Sequence, residues 1–93
     1  MSEFRVFETE QFQEDLRRYF GPSEEKILRK LRTVVYPRLK QQPYFEKNIK
    51  KLRAYRPETW RYRIGGHRFF YEVDDGQKIV FMIAAEPRSA SYR

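Results

Sequence analysis

Arg61, Arg63 and Arg68 stand close together in the chain, and Lys47, Lys50, Lys51, Arg53 and Arg56 run up to them. These eight bases share their stretch with a single acid, Glu58. Taking them away from the chain's 20 basic and 13 acidic residues leaves 12 of each, so the net charge of +7 belongs to one segment. A field that local suits a polyanionic ligand. Tyr55, Trp60, Tyr62, Phe69 and Phe70 are interleaved with the bases or follow them directly. Single-stranded RNA matches the mixture, because its phosphates take cations and its unstacked bases take aromatic faces. Arginine adds to the fit, since its planar fork grips phosphate oxygens and stacks on bases.

Each of these features also has a plain structural reading. The arginines would then form a solvated sheet face paired with Glu72 and other acids, which is cheap under ordinary screening. Trp60 shares its spacing with Tyr62 and Ile64 and reads as a core anchor, whereas Phe70 falls among the arginines and is the better stacking candidate. Glu14-Asp15 and Glu24-Glu25 read as helix-surface acids, and no motif brings carboxylates together for a metal-dependent nuclease. The absence of cysteine removes thiolate metal sites and disulfides. No metal and no cofactor is expected.

The elements that must position this chemistry can be read from the apolar spacing. Phe4 and Val6 suggest a short strand ending near Glu8. Thr9 stands where an N-cap would, with Glu10 in the first turn, and Phe12, Leu16, Tyr19 and Phe20 recur at helical spacing. Gly21-Pro22 breaks that helix. Ser23, Glu24 and Glu25 read as the start of a second one, with the stripe Ile27, Leu28, Leu31, Val34 and Val35, which Pro37 kinks or ends. The stretch around Ile49 and Leu52 reads as helical or irregular. From Trp60 the period becomes two, and Gly65-Gly66 is a two-residue hairpin turn of the primed type. That turn sets Arg63 opposite Arg68, Tyr62 opposite Phe69, Arg61 opposite Phe70 and Trp60 opposite Tyr71. Trp60, Tyr62, Phe69, Tyr71 and Val73 then share one apolar face and the three arginines the other. Asp74-Asp75-Gly76 turns again, and Ile79 to Ala85, apolar throughout, reads as a central strand covered on both sides.

The expected fold is a single α+β domain over residues 1–93. It has an N-terminal strand, an antiparallel two-helix hairpin and a three-stranded antiparallel meander, with the helices on one face of a small, mostly antiparallel sheet. No apolar run approaches the roughly 20 residues of a membrane span, and Met-Ser-Glu-Phe lacks the basic and apolar parts of a signal peptide. A soluble, cytoplasmic protein without a membrane partner is expected.

The run from Trp60 to Val73, Trp-Arg-Tyr-Arg-Ile-Gly-Gly-His-Arg-Phe-Phe-Tyr-Glu-Val, resembles the hairpin of the RelE/ParE toxin superfamily. There a Tyr-Arg-Ile-Gly-x-x-Arg type sequence precedes an apolar strand. Pro43, the Leu52 that follows a basic pair, the Ile79 to Ala85 strand, and an ending in Arg88 and Tyr92 similar to the family's Arg-x-x-x-Tyr tail match in order. The resemblance thus extends over nearly the whole chain. It implies two helices on an antiparallel sheet, and a toxin of a type II toxin-antitoxin system held inactive by a co-encoded antitoxin. A disordered antitoxin segment would supply acids for Arg61, Arg63 and Arg68 and an apolar helix or strand for exposed surface.

RelE-like members cleave messenger RNA in the ribosomal A site, whereas ParE-like members inhibit DNA gyrase without cutting RNA. The RelE-like branch implies a metal-independent endoribonuclease in which a ribose 2′-hydroxyl attacks the adjacent phosphate. It implies Arg61, Arg63, Arg68, Arg88 and Tyr92 as the catalytic set, with Lys47, Lys50, Lys51, Arg53, Arg56, His67 and Phe70 binding RNA. The partners implied are a cognate antitoxin, the ribosome and mRNA. The rival implies DNA gyrase, and a third reading is an inactive member that only binds. One departure stands out: the RelE-like pattern has lysines where this chain has Arg61 and Arg63, which do not exchange protons near neutrality. Proton transfer then falls to Tyr92, to His67 or to the ribosome. An arginine cluster would lower the Tyr92 phenol by favouring phenolate, and His67, the one histidine, reads as a turn residue. A His67 pair with Glu46 or Glu86, as some branches use, stays open without support from spacing.

Overall fold

Thr9 separates the first strand from the first helix. Its hydroxyl accepts the Phe12 N–H at 3.3 Å and donates to the Met82 carbonyl at 2.8 Å, so one side chain caps the helix and ties it to the far end of the chain. The strand, β1, is Arg5–Glu8 and the helix, α1, is Glu10–Phe20 in the computed structural model, which describes residues 3–53, 55 and 57–88. Gly21, at φ 47, ends α1 in a conformation that suits glycine. A 3₁₀ turn, Gly21–Ser23, leads into α2, Glu24–Lys30. Ser23 does not cap α2 with its side chain: its backbone is already helical, at φ −87 and ψ −2, not in the extended form an N-cap takes.

Pro37 does not end the second helical stretch. A π-helical turn, Leu31–Val35, precedes α3, Tyr36–Gln41, and the Tyr36 N–H reaches back five residues to the Leu31 carbonyl. The wide turn comes where proline can give no N–H to the residue four before it, and the helix runs on past Pro37.

The sheet has five strands in the order β1-β5-β4-β3-β2, where β2 is Ile49–Leu52, β3 Thr59–Ile64, β4 His67–Asp74 and β5 Ile79–Glu86. The meander therefore has four strands, not three. Ile49 and Leu52 stand at a helical spacing, but the segment pairs antiparallel with β3, Ile49 against Tyr62 and Lys50 against Arg61. β1 adds to the other side of β5 in parallel, Arg5 against Ile79.

All helices lie on one face of the sheet. Phe12, Leu16 and Phe20 of α1, with Leu31, Val35, Tyr36 and Leu39, form the core with Tyr62, Phe69, Tyr71, Val80, Met82 and Ala85. Tyr19 is half exposed and stands off that stripe. β5 is an inner strand, between β1 and β4, but covered on one side only. Val80, Met82 and Ala85 are buried, while Ile79, Phe81 and Ile83 are part-exposed on the open side, because the described residues form one helical layer.

Asp15 corrects the reading of Glu14-Asp15 as surface acids. It is buried, and its Oδ2 accepts the Ala85 N–H at 3.0 Å while Oδ1 accepts from the Gln11 amide at 2.8 Å. That bond lies beside a break in the β4–β5 ladder: Phe70 pairs with Ala84 but Tyr71 with Met82, leaving Ile83 as a bulged residue. Among the described residues no helix is long and apolar enough to cross a membrane.

Candidate nucleic-acid interface

The hairpin forms with the register its sequence dictates. Ile64 pairs with His67, Arg63 with Arg68, Tyr62 with Phe69, Arg61 with Phe70 and Trp60 with Tyr71. Gly65, at φ 62, is the only one of the two turn glycines with positive φ, the pattern of a II′ turn. Tyr62, Phe69 and Tyr71 are buried against the helices, with Trp60, Ile64 and Val73 packed around them. Alternation sends Arg61, Arg63, Arg68 and Phe70 to the open face.

On that face the strands set the side chains in rows. Lys50, Arg61, Phe70 and Ala84 make one, and Arg63, Arg68 and Glu86 the next. Like charges thus oppose each other twice, Lys50 against Arg61 and Arg63 against Arg68. A groove of about 450 Å³ opens over the first row. Its walls include Lys50, Leu52, Arg53 and Tyr55 on one side and Arg61, Arg68, Phe70 and Glu86 on the other. Tyr55 is 57% exposed, and the Arg68 guanidinium lies 5.9 Å from the Phe70 ring centroid.

The charges in the groove are unequally compensated. Arg68 pairs with Glu86 at 2.5 Å, so the acid that answers the arginine face is Glu86, not Glu72. Among the described residues Arg61 and Arg63 have no acidic partner. Desolvation, and then the fields of Arg63 and Arg68, hold the Arg61 guanidinium below the ordinary arginine value. The Nε atoms of Arg61 and Arg68 are buried without a hydrogen-bond partner. A phosphate would supply the missing negative charge, and Phe70 an apolar face beside it.

The other residues named from the sequence are dispersed. Lys47 is exposed in the turn before β2. Lys51 borders the groove, but its Nζ meets Glu58 at 2.9 Å and lies 5.8 Å from the ring centroid of Trp60, its partner across the β2–β3 ladder. His67 is the first residue of β4 and lies on the face opposite the three arginines. Its ring stands edge-on to Phe20 at 5.0 Å, and its Nδ1 accepts the Arg88 N–H at 3.0 Å. Neither acid considered for it is there: Glu86 holds Arg68, and Glu46 lies by Arg38 at 3.4 Å. Arg88 folds over the hairpin turn so closely that a Cβ on Gly66 would overlap its side chain. Arg56 and Tyr92 lie outside the described residues. Among the described residues no three His, Cys, Asp or Glu side chains gather where a metal could bind.

Glu86 is the groove residue that sequence reasoning undervalued. Its direction depends on the bulge at Ile83, for which an apolar run carries no local signal.

A family model described as the ParE toxin of the type II toxin-antitoxin system parDE matches residues 6–92. Several solved toxins share the fold. In the toxin-antitoxin complex RelBE2 of Mycobacterium tuberculosis, the similar chain gives a TM-score of 0.73 at 22% identity, over 96% of this chain and 95% of that one. A free mutant of the Escherichia coli toxin RelE gives 0.64 at 26% identity, over 99% and 90%. A chain of the archaeal RelE–RelB complex of Pyrococcus horikoshii gives 0.60 at 20%, over 92% and 96%. No curated protein sequence matches this chain.

Proposed function

Because the chain belongs to the family of ParE toxins of type II toxin-antitoxin systems, within the RelE/ParE superfamily, we propose that it inhibits translation by cutting mRNA on the ribosome. The observation that carries this reading is the state of Arg61: desolvated, opposed by Lys50, pressed by Arg63 and Arg68, and without an acid among the described residues. A backbone phosphate bound there relieves the repulsion, and a base lies against Phe70 or Tyr55. The cleavage is the attack of a ribose 2′-hydroxyl on the adjacent phosphorus. Arg61 and Arg68 stabilise the added charge of the pentacoordinate state, each by about 2–4 kcal/mol. Lys47, Lys50 and Arg53 hold the flanking backbone, and Arg63 and Arg88 the phosphate at the turn end. Tyr92 supplies a stacking ring or a hydroxyl. His67 serves the site through the Arg88 backbone.

A cognate antitoxin is the expected partner, as RelB antitoxins accompany the M. tuberculosis and P. horikoshii toxins in their complexes. An acidic segment of it laid along the open face would neutralise the same arginines that RNA needs.

The match to the ParE model favours a second reading, in which the fold engages DNA gyrase and needs no proton-transfer groups. The two separate in one experiment. Toxin freed of antitoxin is added to ribosomes programmed with defined mRNA, and in parallel to gyrase supercoiling reactions. Cleavage in the A-site codon with unaffected supercoiling is the expected result; supercoiling inhibition with intact mRNA overturns the nuclease.

A further inference from the structure

If this groove cuts RNA, it needs a base, and its arginines hold their protons too tightly to act as one near neutrality. His67 faces the other way. Among the described residues lining the groove there is one carboxylate, Glu86. Its position follows from a specific device. Val80 and Met82 alternate toward the helices, and an unbroken strand would carry Glu86 to that same side. The extra residue at Ile83 reverses the alternation, so that Ala85 turns inward and Glu86 outward, opposite Arg68. Asp15 holds the reversal by accepting the Ala85 N–H. Arg68 then takes Oε1 of Glu86, and Oε2 has no partner among the described residues. The side chain is 42% exposed, within reach of a bound strand.

We infer that Glu86 is the proton acceptor for the attacking ribose 2′-hydroxyl, with Arg68 orienting its carboxylate; the assignment rests on the nuclease reading. The 2′-hydroxyl proton passes to the carboxylate and the freed oxygen bonds to the adjacent phosphorus. The bond from phosphorus to the 5′-oxygen breaks, its electron pair stays on that oxygen, and water in the open groove protonates it. The products are a 2′,3′-cyclic phosphate and a 5′-hydroxyl end, and Glu86 returns its proton to the hydroxide left by the water.

Glu86→Gln keeps the size and an oxygen for Arg68 while removing the base. Single-turnover cleavage on programmed ribosomes should fall by about 10²–10⁴-fold. Affinity of the isolated toxin for an oligonucleotide that lacks 2′-hydroxyls should stay equal or rise, since a negative charge leaves the groove. In Glu86→Ala, added formate should restore cleavage in proportion to its concentration, which a counterion role would not produce. A Gln variant that cuts at the parental rate, or an Ala variant that binds but is not rescued, overturns the assignment alone. A parent protein that binds the oligonucleotide and cuts no mRNA overturns the nuclease reading, and the assignment with it.

Discussion

Replacing Arg61 with alanine should abolish most cleavage while leaving the fold nearly unchanged in stability. Arg61 opposes Lys50 directly across the β2–β3 ladder and feels Arg63 and Arg68, with no acid in return among the described residues. Relief of a directly opposed like-charge pair is worth about 0.2–1 kcal/mol. The loss of a partly buried aliphatic stem works the other way, at about 0.8 kcal/mol per buried methylene. The two nearly cancel, so the net change stays within about 1 kcal/mol, a melting-temperature shift of at most about 4–8 °C for a domain of this size. Removing a donor from the developing phosphorane costs about 2–4 kcal/mol, roughly 30- to 1000-fold in rate. Arg61→Lys keeps the charge but loses the planar fork and should fall between the two. Single-turnover cleavage on programmed ribosomes, thermal melting, and RNA affinity at several salt concentrations give the three numbers. The slope of log affinity against log salt should flatten by about 0.7 for the lost phosphate contact. A melting temperature lowered by much more than 8 °C, or a parental cleavage rate, would show that Arg61 is a structural residue.

Three further outcomes follow from other parts of the fold. Asp15→Ala leaves the buried Ala85 N–H without its acceptor, at a cost of about 1–3 kcal/mol, while Asp15→Asn keeps an oxygen there and costs less; equal hydrogen exchange at Ala85 in both variants and the parent would refute this. Desolvation pushes the phenols of Tyr36, Tyr62 and Tyr71 up, and desolvation with the Asp75 hydrogen bond brings Tyr44 up to about 12. Unfolded phenols ionise near pH 10 while the native ones keep their protons, so this stabilisation is full below about pH 10 and falls as the pH rises above it, the Tyr44 share being lost through about pH 12; denaturant melts that are flat from pH 9 to 11.5 would contradict it. Gly66→Ala drives a Cβ into the Arg88 side chain and should displace Arg88 from His67, seen as a changed His67 Nδ1 shift by ¹⁵N NMR. Gly65→Ala acts instead on the backbone, where φ 62 costs a side-chain-bearing residue about 1–2 kcal/mol.

The hairpin was the most legible part of the chain because three local signals agree on it: period two from Trp60 to Ile64, a Gly-Gly turn, and one register that gathers the aromatics. The pairings from Trp60–Tyr71 to Arg63–Arg68 follow from those signals alone. What depends on distant partners was not legible. β2 is four residues, Ile-Lys-Lys-Leu, too short for a period, and it is a strand because β3 offers its edge. Asp15 looks like any helix-surface acid until the bulged strand presents an N–H to it. His67 reads as a turn residue beside Gly65-Gly66, yet it begins β4 and inherits the inward parity of Phe69. The candidate site divides in the same way: the direction of Arg61, Arg63, Arg68 and Phe70 is set by local register, whereas that of Glu86 is set by one inserted residue, Ile83, on the next strand of the sheet.

Stability and charge occupy opposite faces of one ribbon. Tyr62–Phe69 and Trp60–Tyr71 pair on the helix side, while Arg63 opposes Arg68 and Arg61 faces Phe70 on the open side. The repulsion there would by itself favour any other alignment. A slip of one residue, however, would turn every side chain to the wrong face, exposing the buried aromatics and burying the guanidiniums. Burying large aromatic side chains is worth several times the fraction of a kcal/mol that each opposed charge pair costs. The aromatic face therefore fixes the register that the arginine face opposes, and it holds the cations together on the open side of the sheet. An acidic ligand laid on this surface would meet a set of cations whose mutual repulsion has already been met by the core beneath them.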